Sequence, residues 1–219
     1  MRFKIYLTAM LLAGAALTST ARADVISYSD SVPLQSTNFN SSVTLPLFDP
    51  SIGILEKVTL KLTGHVEGAA KFESLDSEPA TVEMELAAQI TLQRPDLSTL
   101  VVTLPLVMTS DDVGAFDGVI DFGGTSGRTY ANLMASQLEI FMTMDPGDLA
   151  LFTGVGNIVL PVVALGASTG SGAGNLLLQF NTSAAADVTV CYQYIPEPAT
   201  AGLLAGGLIF FARRRKNRA

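Results

Sequence analysis

Cysteine and histidine are nearly absent from this chain. Cys191 stands alone, so no disulfide can form within the molecule and stability must come from packing or bound ions. His65 is the one histidine, so any Ser-His-Asp triad or histidine-ligated metal would have to use it. There is no tryptophan. Glycine clusters occur without a phosphate loop: Gly123-Gly124-Thr125-Ser126-Gly127 lacks the lysine and the following helix that such a loop needs. Positive charge is scarce in the middle of the chain. Between Asp24 and Glu197 only Lys57, Lys61, Lys71, Arg94 and Arg128 are basic, against all 20 acids, a net of −15. Such a surface repels nucleic acid and anionic lipid, keeps the protein soluble and favours cations.

The missing bases sit at the two ends. Arg2 and Lys4 precede the apolar stretch Ile5–Leu17, and Ala21-Arg22-Ala23 offers a small-x-small cleavage site with Ala21 and Ala23 as its small residues. This is the layout of a secretory signal peptide over residues 1–23. At the other end, Pro196-Glu197-Pro198 leads into Ala199–Ala212, 14 residues without a charge, and then into Arg213, Arg214, Arg215 and Lys216. As a helix that run rises about 21 Å, short of a hydrocarbon core of about 30 Å. The arginines beyond it stay cytoplasmic under the positive-inside tendency. The prolines fix φ and remove backbone donors, which predicts an extended peptide outside any sheet.

The order of proline-bracketed acid, apolar run and basic cluster closely resembles the PEP-CTERM sorting signal of Gram-negative bacteria. The resemblance implies transient anchoring in the inner membrane and processing near Pro196, Glu197 and Pro198 by an exosortase-type enzyme. Release to the cell surface or an extracellular matrix would follow.

The body, residues 24–195, reads as all-β. In Val82–Gln93, Val82, Met84, Leu86, Ala88, Ile90 and Leu92 alternate with Glu83, Glu85, Gln89 and Gln93, the period of a half-buried strand. Leu55–Leu62 and Asp187–Tyr194 alternate likewise, with Val188, Val190, Tyr192 and Tyr194 on one face. Gly64 and Gly68 should break or bulge the ribbon they follow. Leu100, Val102, Leu104, Leu106 and Met108 are expected to line an inner face, with Pro105 outward on an edge. Pro161 likewise suggests an edge for Asn157–Leu165. Arg128–Ser136 fits either a short helix or a strand, and Leu149–Phe152 a helical turn. Roughly eight to ten short strands with turns between them predict an antiparallel β-sandwich flanked by the signal peptide and a C-terminal sorting helix.

Four segments of this body, Val32–Asn40, Leu47–Gly53, Phe116–Gly127 and Gly174–Thr182, resemble the choice-of-anchor E domain. That resemblance implies display through a C-terminal anchor and brings no activity with it.

Candidate chemistry is sparse. Asp111, Asp112, Asp117 and Asp121, four aspartates within eleven positions among glycines, are the residue types of a calcium loop, although the spacing matches neither an EF-hand nor an Asp-rich nonapeptide. The same residues are expected in ordinary turns. Glu73, Asp76, Glu78, Glu83 and Glu85 form a second acidic group. Glu83 and Glu85, on one strand face, stand roughly 7 Å apart, a separation that paired carboxylates use to cleave glycosides. The reading is a non-enzymatic exported surface protein, structural or adhesive, in contact with extracellular polysaccharide and not with nucleic acid. The alternatives are a carbohydrate-active enzyme using surface carboxylates and a calcium-dependent carbohydrate-binding module.

Overall fold

In a computed structural model, residues 22–197 are described. Ala21, the rest of the signal segment, Pro198, the apolar run and Arg213, Arg214, Arg215 and Lys216 lie outside the described residues. The chain forms β1 (Asp24–Ser36), β2 (Phe39–Pro46), β3 (Gly53–Ser74), β4 (Ala80–Gln93), β5 (Thr99–Thr103), β6 (Leu106–Val113), β7 (Gly127–Thr143), β8 (Asn157–Gly166), β9 (Thr169–Ser171) and β10 (Leu176–Pro196). A 3-10 turn covers Pro50–Ile52, and one short helix, α1, covers Pro146–Leu151. Asp145 caps α1, its carboxylate accepting from the Gly147 and Asp148 N–H groups.

The strands make two antiparallel sheets. One runs β1-β10-β3-β7, and the other β2-β8-β4-β5, with β6 and β9 flanking the first half of β4. This is the expected antiparallel sandwich. Its core lies between the sheets, where Leu60, Leu62 and Val66 of β3 and Val188, Val190 and Tyr192 of β10 meet Leu86, Ile90 and Leu92 of β4 and Leu160 and Val162 of β8. β4 shows the predicted alternation, with Val82, Met84, Leu86, Ala88, Ile90 and Leu92 buried.

Several elements differ from the reading by pattern. β5 and β6 turn the opposite face inward: Val101, Thr103 and Pro105 are buried, whereas Val102, Leu104, Leu106 and Met108 are exposed. The cause is a register shift between Leu92 and Gln93 of β4, opposite Val101 and Thr99. It buries both Leu100 and Val101, and a one-residue slip sends every later side chain to the other face. Pro105 does sit in an edge, at the break between β5 and β6, but points inward. β8 is an interior strand between β2 and β4; Pro161 is accommodated because pairing with β4 stops at Val162. Leu176–Asn181 and Asp187–Tyr194 are parts of the single strand β10. Arg128–Ser136 is strand, with Asn132 at φ 59° in a bulge opposite the Gly68–Ala70 stretch of β3.

Gly64 neither breaks nor bulges β3. It is buried against the second sheet, and a Cβ there would stand 2.5 Å from Thr103 Cγ2 and 2.9 Å from Ile90 Cδ1. Gly64→Ala is therefore expected to destabilise by about 1–3 kcal/mol, the usual cost of overpacking, where alanine in an open strand would gain stability. A thermal melt equal to or above that of the parent protein would refute the close approach.

Candidate functional site

The last strand delivers the chain to its sorting segment. β10 remains paired to β3 through Tyr194–Leu55, Ile195–Ile54 and Pro196–Gly53, and the Glu197 N–H donates to the Ile52 carbonyl at 3.4 Å. Pro196 thus closes a ladder, contrary to the expectation that the motif lies wholly outside the sheet. A strand terminus tolerates the missing donor. Gly53 permits this pairing, since a Cβ would run into the Ile195 carbonyl oxygen. Asp24 pairs with Tyr194, so the expected signal-cleavage point and the sorting motif leave the same end of the sandwich. Beneath them, Phe48 meets Tyr194 at 5.2 Å and Tyr192 at 5.9 Å between ring centroids.

The four aspartates of the predicted calcium loop are held apart. Asp111 and Asp112 are consecutive residues of β6, so their side chains leave on opposite faces of the strand. Asp111 lies 3.8 Å from Arg128 Nε, and Asp112 accepts from the Thr81 hydroxyl at 2.6 Å. Asp117 closes its own turn, accepting from the Val119 N–H at 3.0 Å and the Thr125 N–H at 3.4 Å. Asp121 is exposed beside Gly123. Among the described residues, no group of three or more His, Cys, Asp or Glu is placed to hold a metal. Asp111, Asp112 and Asp117 are engaged as strand and turn partners. A melt in excess calcium, repeated with chelator, is expected to give one Tm, whereas a rise that chelator reverses would restore the calcium loop.

The second acidic group is also dispersed. Glu73 is not a surface carboxylate: it is fully buried, and accepts from the Ser126 hydroxyl and the Phe122 N–H, each at 2.6 Å. Asp76 accepts from the Gly174 N–H at 2.6 Å. Glu83 and Glu85 remain together on the outer face of β4, between β6 and β9.

One constellation is invisible in the sequence. On the outer face of the first sheet, Ser136 of β7, His65 of β3 and Asp187 of β10 form a chain across three adjacent strands. Ser136 Oγ is 2.7 Å from His65 Nδ1, and Asp187 Oδ2 is 2.9 Å from His65 Nε2. The residue types are those of a nucleophile, base and orienter. The Asp187 side chain is 62% exposed, and the trio lies on an open sheet face. In a working triad the acid is buried and N–H donors converge on the nascent oxyanion. A concavity of about 330 Å³ lies two residues further along the strands, at the β3–β7 bulge, and is lined by Glu67, Asn132, Met134, Asn181 and Ser183. The trio therefore reads as a cross-strand hydrogen-bond chain that fixes the sole histidine.

A protein-sorting model, the PEP-CTERM motif, matches residues 195–216. That motif implies export and membrane-associated sorting with processing by an exosortase. No curated protein matches the chain. Among solved structures, that of the infectious bursal disease virus Gx strain aligns at 15% identity over 90% of this chain and 51% of that one, with a TM-score of 0.21. The VP2 subviral particle of infectious bursal disease virus aligns at 17% identity over 89% of this chain and 50% of that one, with a TM-score of 0.19. The chain spans about half the length of those proteins, and scores of this size carry no argument about role.

Proposed function

We propose that this is an exported bacterial protein whose β-sandwich body, residues 24–195, is cargo for display at the cell surface or in the extracellular matrix. Residues 1–23 act as a cleaved signal peptide, and residues 196–219 as a sorting tail that anchors in the inner membrane until an exosortase-type enzyme processes it. The observation that carries the reading is the PEP-CTERM motif at 195–216, which begins where β10 ends. The role of the body is structural or adhesive rather than catalytic. Its charge of −14 suits contact with hydrated polysaccharide and disfavours nucleic acid.

Deleting Pro196–Ala219 in a strain that has the sorting enzyme is expected to abolish surface display and leave the body soluble in the periplasm or medium. Display at the parent level after the deletion would sink the sorting assignment. Immunolabelling of intact cells, beside a fractionation blot, reads both outcomes.

A further inference from the structure

Five large apolar side chains crown the end of the sandwich from which the sorting tail departs. Ile52 and Ile54 flank the start of β3, Leu97 tips the β4–β5 turn, Met144 follows β7 and Val155 tips the loop before β8. They are 38%, 69%, 64%, 68% and 91% exposed. They share one end because the ladders say so: Pro196 pairs with Gly53, Thr143 with Val58, and Asn157 with Pro46. The Arg94–Asp148 ion pair, at 2.9 Å, ties the β4–β5 turn to α1 beside them. Exposed apolar residues also occur elsewhere, at Met134, Leu138, Ile140 and Met142 of β7 and at Val119 and Ile120; what sets these five apart is that they share the end from which the tail leaves.

Chain length supplies the occupant. β10 runs to Pro196, and the uncharged run begins at Ala199, so only Glu197 and Pro198 intervene. Fully extended, the step from Pro196 to Ala199 spans about 10 Å. The polar interface on each side of a bilayer is itself about 5–8 Å deep. Once the tail enters a membrane, this end of the body can stand at most about 5 Å clear of the polar interface. No helix among the described residues is long and apolar enough to cross a bilayer.

We propose that Ile52, Ile54, Leu97, Met144 and Val155 form a membrane-contact crown, which seats in the lipid interface while the tail is anchored. The inference rests on the sorting reading. The rim of the crown carries Asp49, Asp96, Asp145 and Glu197, and Arg94 is neutralised by Asp148. The attraction is therefore apolar, and the matching surface is a zwitterionic bilayer rather than an anionic one. Contact at this depth also places the Pro196-Glu197-Pro198 motif at the membrane surface.

The test uses the full chain with Cys191→Ser, and single labelling sites at Val155→Cys in the crown, Ala205→Cys in the tail and Ile120→Cys at the opposite end. Cys191 lies on the outer face of β10 between Ser27 and Thr59, so serine fits its surroundings. Each protein, carrying an environment-sensitive dye, is reconstituted into phosphatidylcholine vesicles with a headgroup-level quencher. Quenching with a blue shift is expected at Val155 and Ala205, with none at Ile120. Quenching at Ala205 without any at Val155 overturns the crown and leaves the sorting reading intact. Equal quenching at Ile120 also overturns it, because contact would then be unoriented. No quenching at Ala205 removes both readings. Shielding of Val155 that requires added exosortase overturns the lipid contact and makes a protein the occupant.

Discussion

Tyr192→Ala is expected to lower stability by about 4 kcal/mol, within the range for emptying a buried aromatic site. For a domain of this size that is roughly 10 °C in Tm. Tyr192 is fully buried in β10, with Phe48, Tyr28 and Phe152 at 5.9, 6.3 and 6.5 Å between ring centroids. Its hydroxyl donates to the Pro46 carbonyl at 2.8 Å, tying the first sheet to the end of β2 in the second. Tyr192→Phe keeps the packing and leaves that carbonyl short of a donor, a loss of about 1 kcal/mol. The two substitutions thus separate ring from hydroxyl.

Alkaline pH offers a second readout. Burial, and secondarily the neighbouring Tyr28, pushes the Tyr192 phenol well above its usual value near 10. A proton held more tightly by the folded state stabilises fully below the unfolded pKa and is lost as pH rises beyond it. Stability should therefore be level in this respect up to about pH 10, then fall by about 1.4 kcal/mol per pH unit. Tyr192→Phe should remove that part of the slope. If the variant and the parent lose stability in parallel above pH 10, the phenol is not protected in the way the burial implies.

The fold was legible where one face of a strand is buried over its whole length. β4 announces itself because Glu83, Glu85, Gln89 and Gln93 alternate with aliphatics and no bulge interrupts them within Val82–Leu92. β5 and β6 carry an equally regular pattern, yet a single bulged residue, Leu100, inverts their faces. Periodicity reports which residues share a face; it does not report which face turns inward once a bulge intervenes. Pro161 sits in an interior strand for a related reason. Being an edge is a property of a few residues, and β8 is unpaired toward β4 only up to that point.

The candidate sites were less legible than the tail. The tail's order of proline, acid, apolar run and basic cluster is local, and local order survives in sequence. Ser136, His65 and Asp187 are separated by 71 and 122 positions and meet only through the register of three strands. Conversely, Asp111, Asp112, Asp117 and Asp121 are close in sequence and are parted by strand alternation and by turn bonding. Glu73 was misread because it sits in a run of acids. Its difference from them lies in a loop that begins some forty residues later and folds back over it.

That loop gives the second large effect. Glu73→Ala is expected to cost about 4 kcal/mol, because it deletes two charge-assisted hydrogen bonds, each worth about 1.5–3 kcal/mol, and leaves their donors buried. The donors are the Phe122 N–H and the Ser126 hydroxyl, and Ser126 returns its own carbonyl to the Ser74 N–H at 2.9 Å. Gly127 lies so close to the carboxylate that a Cβ there would meet Oε2. One side chain of β3 therefore fixes both the path of the loop from β6 to β7 and the start of β7. Glu73→Gln retains the shape and one acceptor, and should fall about midway. Hydrogen exchange at Phe122 and Ser126 should accelerate in the alanine variant more than exchange in β10, since the sheet registers do not depend on this contact. A variant that melts with the parent and protects Phe122 equally well would show that the carboxylate is a passenger. The loop lies at the end opposite the sorting motif, so a folded Glu73→Gln protein should still be displayed at the parent level. Loss of display in that protein would tie the outer loop to export rather than to whatever the displayed end meets outside the cell.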